Sequence, residues 1–91
     1  MQLSFDPAKN ERNLEERGLA FNLVSELDWA KAVIDEDTRK NYGERRFRVL
    51  GCISERLYAV VFTPRADKLH IISLRKANSR EVERYGKTPK S

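Results

Sequence analysis

Cysteine, histidine, tryptophan and methionine each occur once in 91 residues. A lone thiol, Cys52, closes no internal disulfide, which excludes the cross-linked scaffold of a small secreted domain. A lone histidine, His70, excludes a His–His acid/base pair within one chain. Together with the single cysteine it also excludes metal sites built on several His or Cys ligands, so no metal or other cofactor is expected. The four glycines form no phosphate loop of the nucleotide-binding kinds. No apolar run approaches the roughly 20 residues needed to span a bilayer, and Met1 to Lys9 lack the basic-then-apolar order of a signal peptide. The expectation is a cytoplasmic protein with no membrane partner.

What the chain does have is charge: 35% of residues are charged and 40% hydrophobic, with a net charge of +4. The distribution is uneven. From Arg65 onward, Arg65, Lys68, Arg75, Lys76, Arg80, Arg84, Lys87 and Lys90 face only Asp67, Glu81 and Glu83, while residues 1–64 carry a slight acidic excess. A positive excess confined to one segment points to a polyanionic partner. A domain this small buries only about 60–65% of the surface its unfolded chain exposes, so a partner that covers apolar surface would stabilise it.

The pattern predicts a helix from Asp6-Pro7 to about Arg17. Asp6 is the cap, Pro7 takes the first helical position and Gly18 is the stop. This helix is polar, with Ala8 and Leu14 as its main apolar residues and Lys9, Asn13 and Arg17 on one face. A short second helix is expected over Asn22–Asp28, a short strand at Ala32–Ile34, and a polar loop from Asp35 to Gly43. Strands at about 45–53, 57–63 and 69–75 follow, joined by short turns that favour an antiparallel meander. Asn78 and Glu81 predict a capping box opening a last helix that ends at Gly86. The fold class is α+β: an antiparallel sheet of three to four strands, two N-terminal helices and one C-terminal helix, the helices on one face. One domain is expected over residues 3–86, with 87–91 a flexible basic tail.

The candidate site lies where the last strand meets the last helix. Arg75 and Lys76 end the strand, and Arg80 and Arg84 follow in the helix. Exposed N–H groups at a helix start favour a phosphate, and strand alternation puts Ile71, Ser73 and Arg75 on one side, His70, Ile72 and Leu74 on the other. The plainer reading pairs Arg75 with a carboxylate such as Glu44. Arg46 and Arg48, on one face by alternation, could track a phosphate backbone, or Arg48 could only protect an edge strand. Lys9 and Arg65 are further candidate RNA contacts. In a strand between apolar residues, His70 reads as structural, and Cys52 as a small buried residue. RNA can be cleaved without metal or histidine when its own 2′-OH attacks the adjacent phosphate. Arginine would stabilise the developing charge, Glu44 could serve as base, and Lys76 or Tyr85 as acid.

Three stretches resemble the BrnT toxins, members of the RelE-like ribonuclease group that pair with BrnA antitoxins. The first is Phe5-Asp6-Pro7 with Lys9, Asn10, Asn13, Arg17-Gly18 and Phe21. The second is Gly43-Glu44-Arg45-Arg46-Phe47 with Gly51. The third is Ile71-Ile72-Ser73-Leu74-Arg75-Lys76-Ala77, followed by Arg80-Glu81 and Tyr85. The resemblance implies a RelE-like fold, RNA cleavage that halts translation, and inhibition by a cognate BrnA-like antitoxin, with operator DNA contacted only through that antitoxin. Members commonly carry Lys-His-Gly where this chain has Glu16-Arg17-Gly18; Arg17 keeps the charge but exchanges no proton near neutral pH. Two other functions fit the residues: a non-catalytic nucleic-acid-binding module, and an antitoxin-binding module that folds with its partner.

Overall fold

Asp6 and Pro7 start the first helix as their chemistry dictates. In the computed structural model, which describes residues 2–90, the Asp6 side chain accepts a hydrogen bond from the Ala8 N–H, and α1 runs Pro7–Arg17. Gly18 closes it at φ 71°, a left-handed conformation that glycine adopts without strain. What docks α1 is polar. Leu14 is 48% exposed, whereas Asn13 is 5% exposed. Asn13 Nδ2 donates to the Leu19 carbonyl at 2.8 Å, and Asn10 Oδ1 accepts from the Phe21 N–H at 2.7 Å. The two amides tie the helix to the chain that follows it.

That chain forms a 3₁₀ helix, Phe21–Glu26, rather than the α-helix expected there. The Ser25 hydroxyl donates to the Asn22 carbonyl, and Phe21, Val24 and Leu27 are spaced by three. At three residues per turn all three point the same way, and all three are buried. A second short 3₁₀ turn, Trp29–Lys31, follows.

Five strands form one sheet, in place of the three or four expected. They are β1 (Gln2–Phe5), β2 (Val33–Glu36), β3 (Phe47–Ile53), β4 (Arg56–Arg65) and β5 (Lys68–Lys76), in the order β1-β5-β4-β3-β2. The stretch from β2 to β5 is the antiparallel meander; the unforeseen β1 pairs parallel to β5, over Lys68–Ile71 only. The last helix, α2, runs Ser79–Lys87 behind the capping box of Asn78 and Glu81. It passes through Gly86, and Lys87, in its last turn, pairs with Glu83 at 2.9 Å. Of the segment expected to be a loose tail, Ser91 lies outside the described residues.

The core lies between the sheet and the 3₁₀ segment, with Phe21, Val24 and Leu27 against Val49, Ile53, Val60, Phe62, Ile71 and Leu74. Leu27 packs directly over Gly51: a Cβ there would stand 2.5 Å from Leu27 Cδ2. The helices are not all on this face. Cys52 and Leu57 point to the opposite side by alternation, and with Val82 and Tyr85 of α2 they line one depression, so α2 packs on the other face at one end. Between α2 and Thr63, which is 1% exposed, that second face is open, with Arg48 and Asp35 partly exposed on it.

A bulge in β5 changes which residues reach it. Val61 pairs with Ser73 and Phe62 with Ile71, which leaves Ile72 without a partner in the ladder. The extra residue reverses the alternation. Ile71 and Leu74, expected on opposite faces, are both in the core, 1% and 0% exposed. Ser73 and Arg75 therefore share the open face with His70.

Candidate functional site

The open face is built from register. His70 lies beside Ser4 of β1 and Thr63 of β4, and Ser73 lies in one row with Val61, Arg48 and Asp35. Arg75 is in the next row, with Ala59, Leu50 and Val33. This row and its neighbour floor a cleft of about 180 Å³ rimmed by Arg39, Arg48, Arg75 and Arg84 and by Asp35 and Glu81.

At the α2 end, Arg75 donates two hydrogen bonds to the Glu81 carboxylate, at 2.8 and 2.9 Å. Glu81 also accepts from the Asn78 N–H, and Asn78 Oδ1 accepts from the Glu81 N–H. The hydrogen bonds from Arg75 hold Glu81 below the usual carboxylate range, and Glu81 in turn makes Arg75 harder to deprotonate. In the middle of the face, Arg48 pairs with Asp35 at 3.0 Å, both partly exposed.

At the other end stands Glu44, between Arg46 at 3.7 Å and Arg65 at 3.3 Å. The loop carrying it is organised by Asp37. This buried carboxylate accepts from Arg39 twice at 2.8 Å and from the Tyr42 hydroxyl at 3.0 Å, and the Arg39 hydrogen bonds hold it far below the usual range. Its N–H donates to the Arg46 carbonyl, and the Arg46 guanidinium lies 4.2 Å from the centre of the Tyr42 ring. His70 is close to this cluster. Its Nδ1 lies 2.9 Å from Ser4 Oγ. Burial, and then the field of Arg65, lower its pKa.

With this geometry in view, one comparison decides the family. A family described as "Ribonuclease toxin, BrnT, of type II toxin-antitoxin system" matches residues 5–81. The chain belongs to the BrnT family. It is thus a ribonuclease toxin of a type II toxin–antitoxin system, a class with RNA as substrate and an antitoxin as partner. No curated protein matches the chain. No helix among the described residues is long and apolar enough to cross a membrane, and among them no three His, Cys, Asp or Glu side chains group as metal ligands would.

For this BrnT toxin the expected convergence at the strand–helix junction needs correction. Arg75 and Lys76 do not meet on the open face. Adjacent residues on a strand point to opposite faces, and Lys76, beside Tyr58 in the ladder, points away from the open face. It lies with Arg17 and Leu19 around a second depression, which Arg75 also borders. Arg75 pairs with a carboxylate as the plainer reading had it, but the acid is Glu81 and not Glu44. The anion at the start of α2 is the protein's own.

Tyr85 is also separated from Glu44. It packs beside Cys52 and Leu57, donates its hydroxyl to the Lys31 carbonyl at 3.0 Å, and has its pKa raised by burial. Arg46 immediately precedes β3, and its guanidinium faces Glu44 and the Tyr42 ring. Arg80 lies with Glu83 and Lys87 around a shallow depression along α2, which Arg84 also borders. Lys9 is exposed on α1, above the Ile72–Ser73 edge of β5. Arg17 donates to Asn13 Oδ1 at 2.9 Å and closes the helix. Sequence reasoning missed Arg39 in the cleft rim and His70 on the open face. The first follows Asp37 by two residues; the second was disguised by the apolar residues flanking it in the strand.

Proposed function

We propose that this toxin cleaves RNA on the open face of its sheet, by attack of the RNA's own 2′-OH on the neighbouring phosphate, with no metal ion taking part. Arg65 and Arg48 hold the backbone, Arg84 and the exposed side of Arg75 extend the track, and Arg65 with Arg46 stabilises charge on the phosphoryl oxygens. Translation stops as messenger RNA is cut in the cytoplasm. A BrnA-like antitoxin neutralises the toxin, and the pair reaches operator DNA through the antitoxin alone.

The observation that supports this reading is the line of guanidinium groups on one uncovered sheet face: Arg65 at one end, Arg48 in the middle, Arg75 and Arg84 at the other. Their acids do not forbid it. An exposed pair such as Arg48–Asp35 is worth only about 0–1 kcal/mol, so a phosphate that offers a planar guanidinium two acceptors displaces it readily. The Arg75–Glu81 pair is different. Glu81 is only 15% exposed and holds the helix cap as well, so Arg75 chiefly anchors α2.

Incubation of the purified toxin with RNA in excess EDTA tests the chemistry. The expected result is undiminished cleavage, with 2′,3′-cyclic phosphate and 5′-hydroxyl ends. Cleavage that EDTA abolishes and a divalent cation restores, or 5′-phosphate ends, would overturn the mechanism.

A further inference from the structure

We propose that His70 is the general base of cleavage: its Nε2 takes the proton of the attacking 2′-OH while Ser4 fixes the ring. This rests on the reading that RNA lies on the open face, and it supplies the proton acceptor that the arginines cannot.

The geometry comes first. His70 and Ser4 are partners in the β1–β5 ladder, so both side chains emerge on the same face and stay in register. Nδ1 lies 2.9 Å from Ser4 Oγ. With Nδ1–H donating to that hydroxyl, the Nε2 lone pair is left for substrate, and no protein group bonds Nε2 among the described residues. A ring oriented through one nitrogen and free at the other is what proton transfer requires. The β-bulge at Ile72 separates His70 from the part of β5 that carries Arg75 and leaves it beside Arg65.

The charges facing the ring favour the same role. Arg65 of β4 and Lys9 of α1 oppose its protonation, Glu44 and Asp6 favour it, and burial opposes it more than any of these. The net effect keeps His70 neutral at pH 7, ready to accept a proton. Thr63, its neighbour in β4, is spent on the Arg45 carbonyl at 2.6 Å and does not compete for the ring. In the step itself the 2′-O–P bond forms and the P–O5′ bond breaks. The 2′-OH proton passes to Nε2, the 5′-oxygen takes a proton from water, and the imidazolium returns its proton to solvent.

The test is kcat and kcat/KM for RNA cleavage across pH 4.5–8 for the full chain and for His70→Gln, His70→Ala, Ser4→Ala and Ser4→Thr, with folding checked by circular dichroism. Wild-type kcat/KM is expected to rise through a midpoint below 6.5 and then level. His70→Gln loses about 10²–10⁴-fold in kcat and that rise, while binding a 2′-deoxy RNA analogue as wild type does. Added imidazole partly restores His70→Ala. Ser4→Ala lowers kcat with KM unchanged, and Ser4→Thr recovers it. A folded His70→Gln protein that cleaves within threefold of wild type, with the same pH profile, overturns the proposal alone. A wild-type protein that leaves RNA intact overturns the ribonuclease mechanism with it.

Discussion

Arg65→Ala is expected to lower kcat for RNA cleavage by about 10²–10³-fold, the usual cost of removing one donor that faces developing charge. Arg65 closes β4 and is 52% exposed, and its carboxylate partner is Glu44 at 3.3 Å. Nothing in the core leans on it, so the substitution leaves stability within about 0.5 kcal/mol. Glu44 keeps Arg46 as a partner and does not become an isolated charge. Arg65→Lys is expected to recover only part of the loss, since an ammonium supplies charge without the planar fork. Initial rates at saturating RNA, with thermal melts of the same samples, check both halves. A rate within a few-fold of wild type would remove Arg65 from the site.

The largest expected loss of stability is at Phe21. Its side chain is 2% exposed and meets the Phe5 ring edge to face, with centroids 5.8 Å apart. It also holds the join between α1 and the 3₁₀ helix, because its N–H is the one that Asn10 accepts. Phe21→Ala removes buried surface and leaves a void that a packed sheet cannot fill, at about 3–5 kcal/mol. A domain of this size has roughly 5–14 kcal/mol in total. At about 4–8 °C per kcal/mol the melting temperature falls by roughly 12–40 °C. Calorimetry of the variant measures this, and a fall under about 5 °C would mean that the core is not centred on this ring.

Much of this was legible in the residues. Asp6-Pro7 with Gly18 gave α1 to the residue, and Asn78 with Glu81 gave the capping box of α2. The runs of Val, Ile, Leu and Phe gave β3 to β5, because hairpins announce themselves through adjacent strands and short turns. β1 did not, since it is four residues long and pairs parallel with a strand more than sixty residues away, so no local turn marks it. The Ile72 bulge was also silent. It carries no glycine, and strict alternation read straight through it put Ile71 and Leu74 on opposite faces. The polar face of α1 carried no sign of packing, yet Asn10 and Asn13 are joints. At the site, composition found the arginines but not their acids. Glu81 was read as a helix cap, and it is both the cap and the partner of Arg75.

An RNA backbone held along the open sheet face has a signature in salt dependence. Affinity for a 2′-deoxy single-stranded analogue, followed against salt, tests it most directly. Each phosphate contact contributes about 0.7 to the slope of log affinity on log salt. Arg48→Ala and Arg65→Ala should each flatten that slope by about this amount, while Lys76→Ala, on the other face, leaves it unchanged. A slope that Lys76→Ala flattens and the two open-face variants do not would place the RNA on the other face.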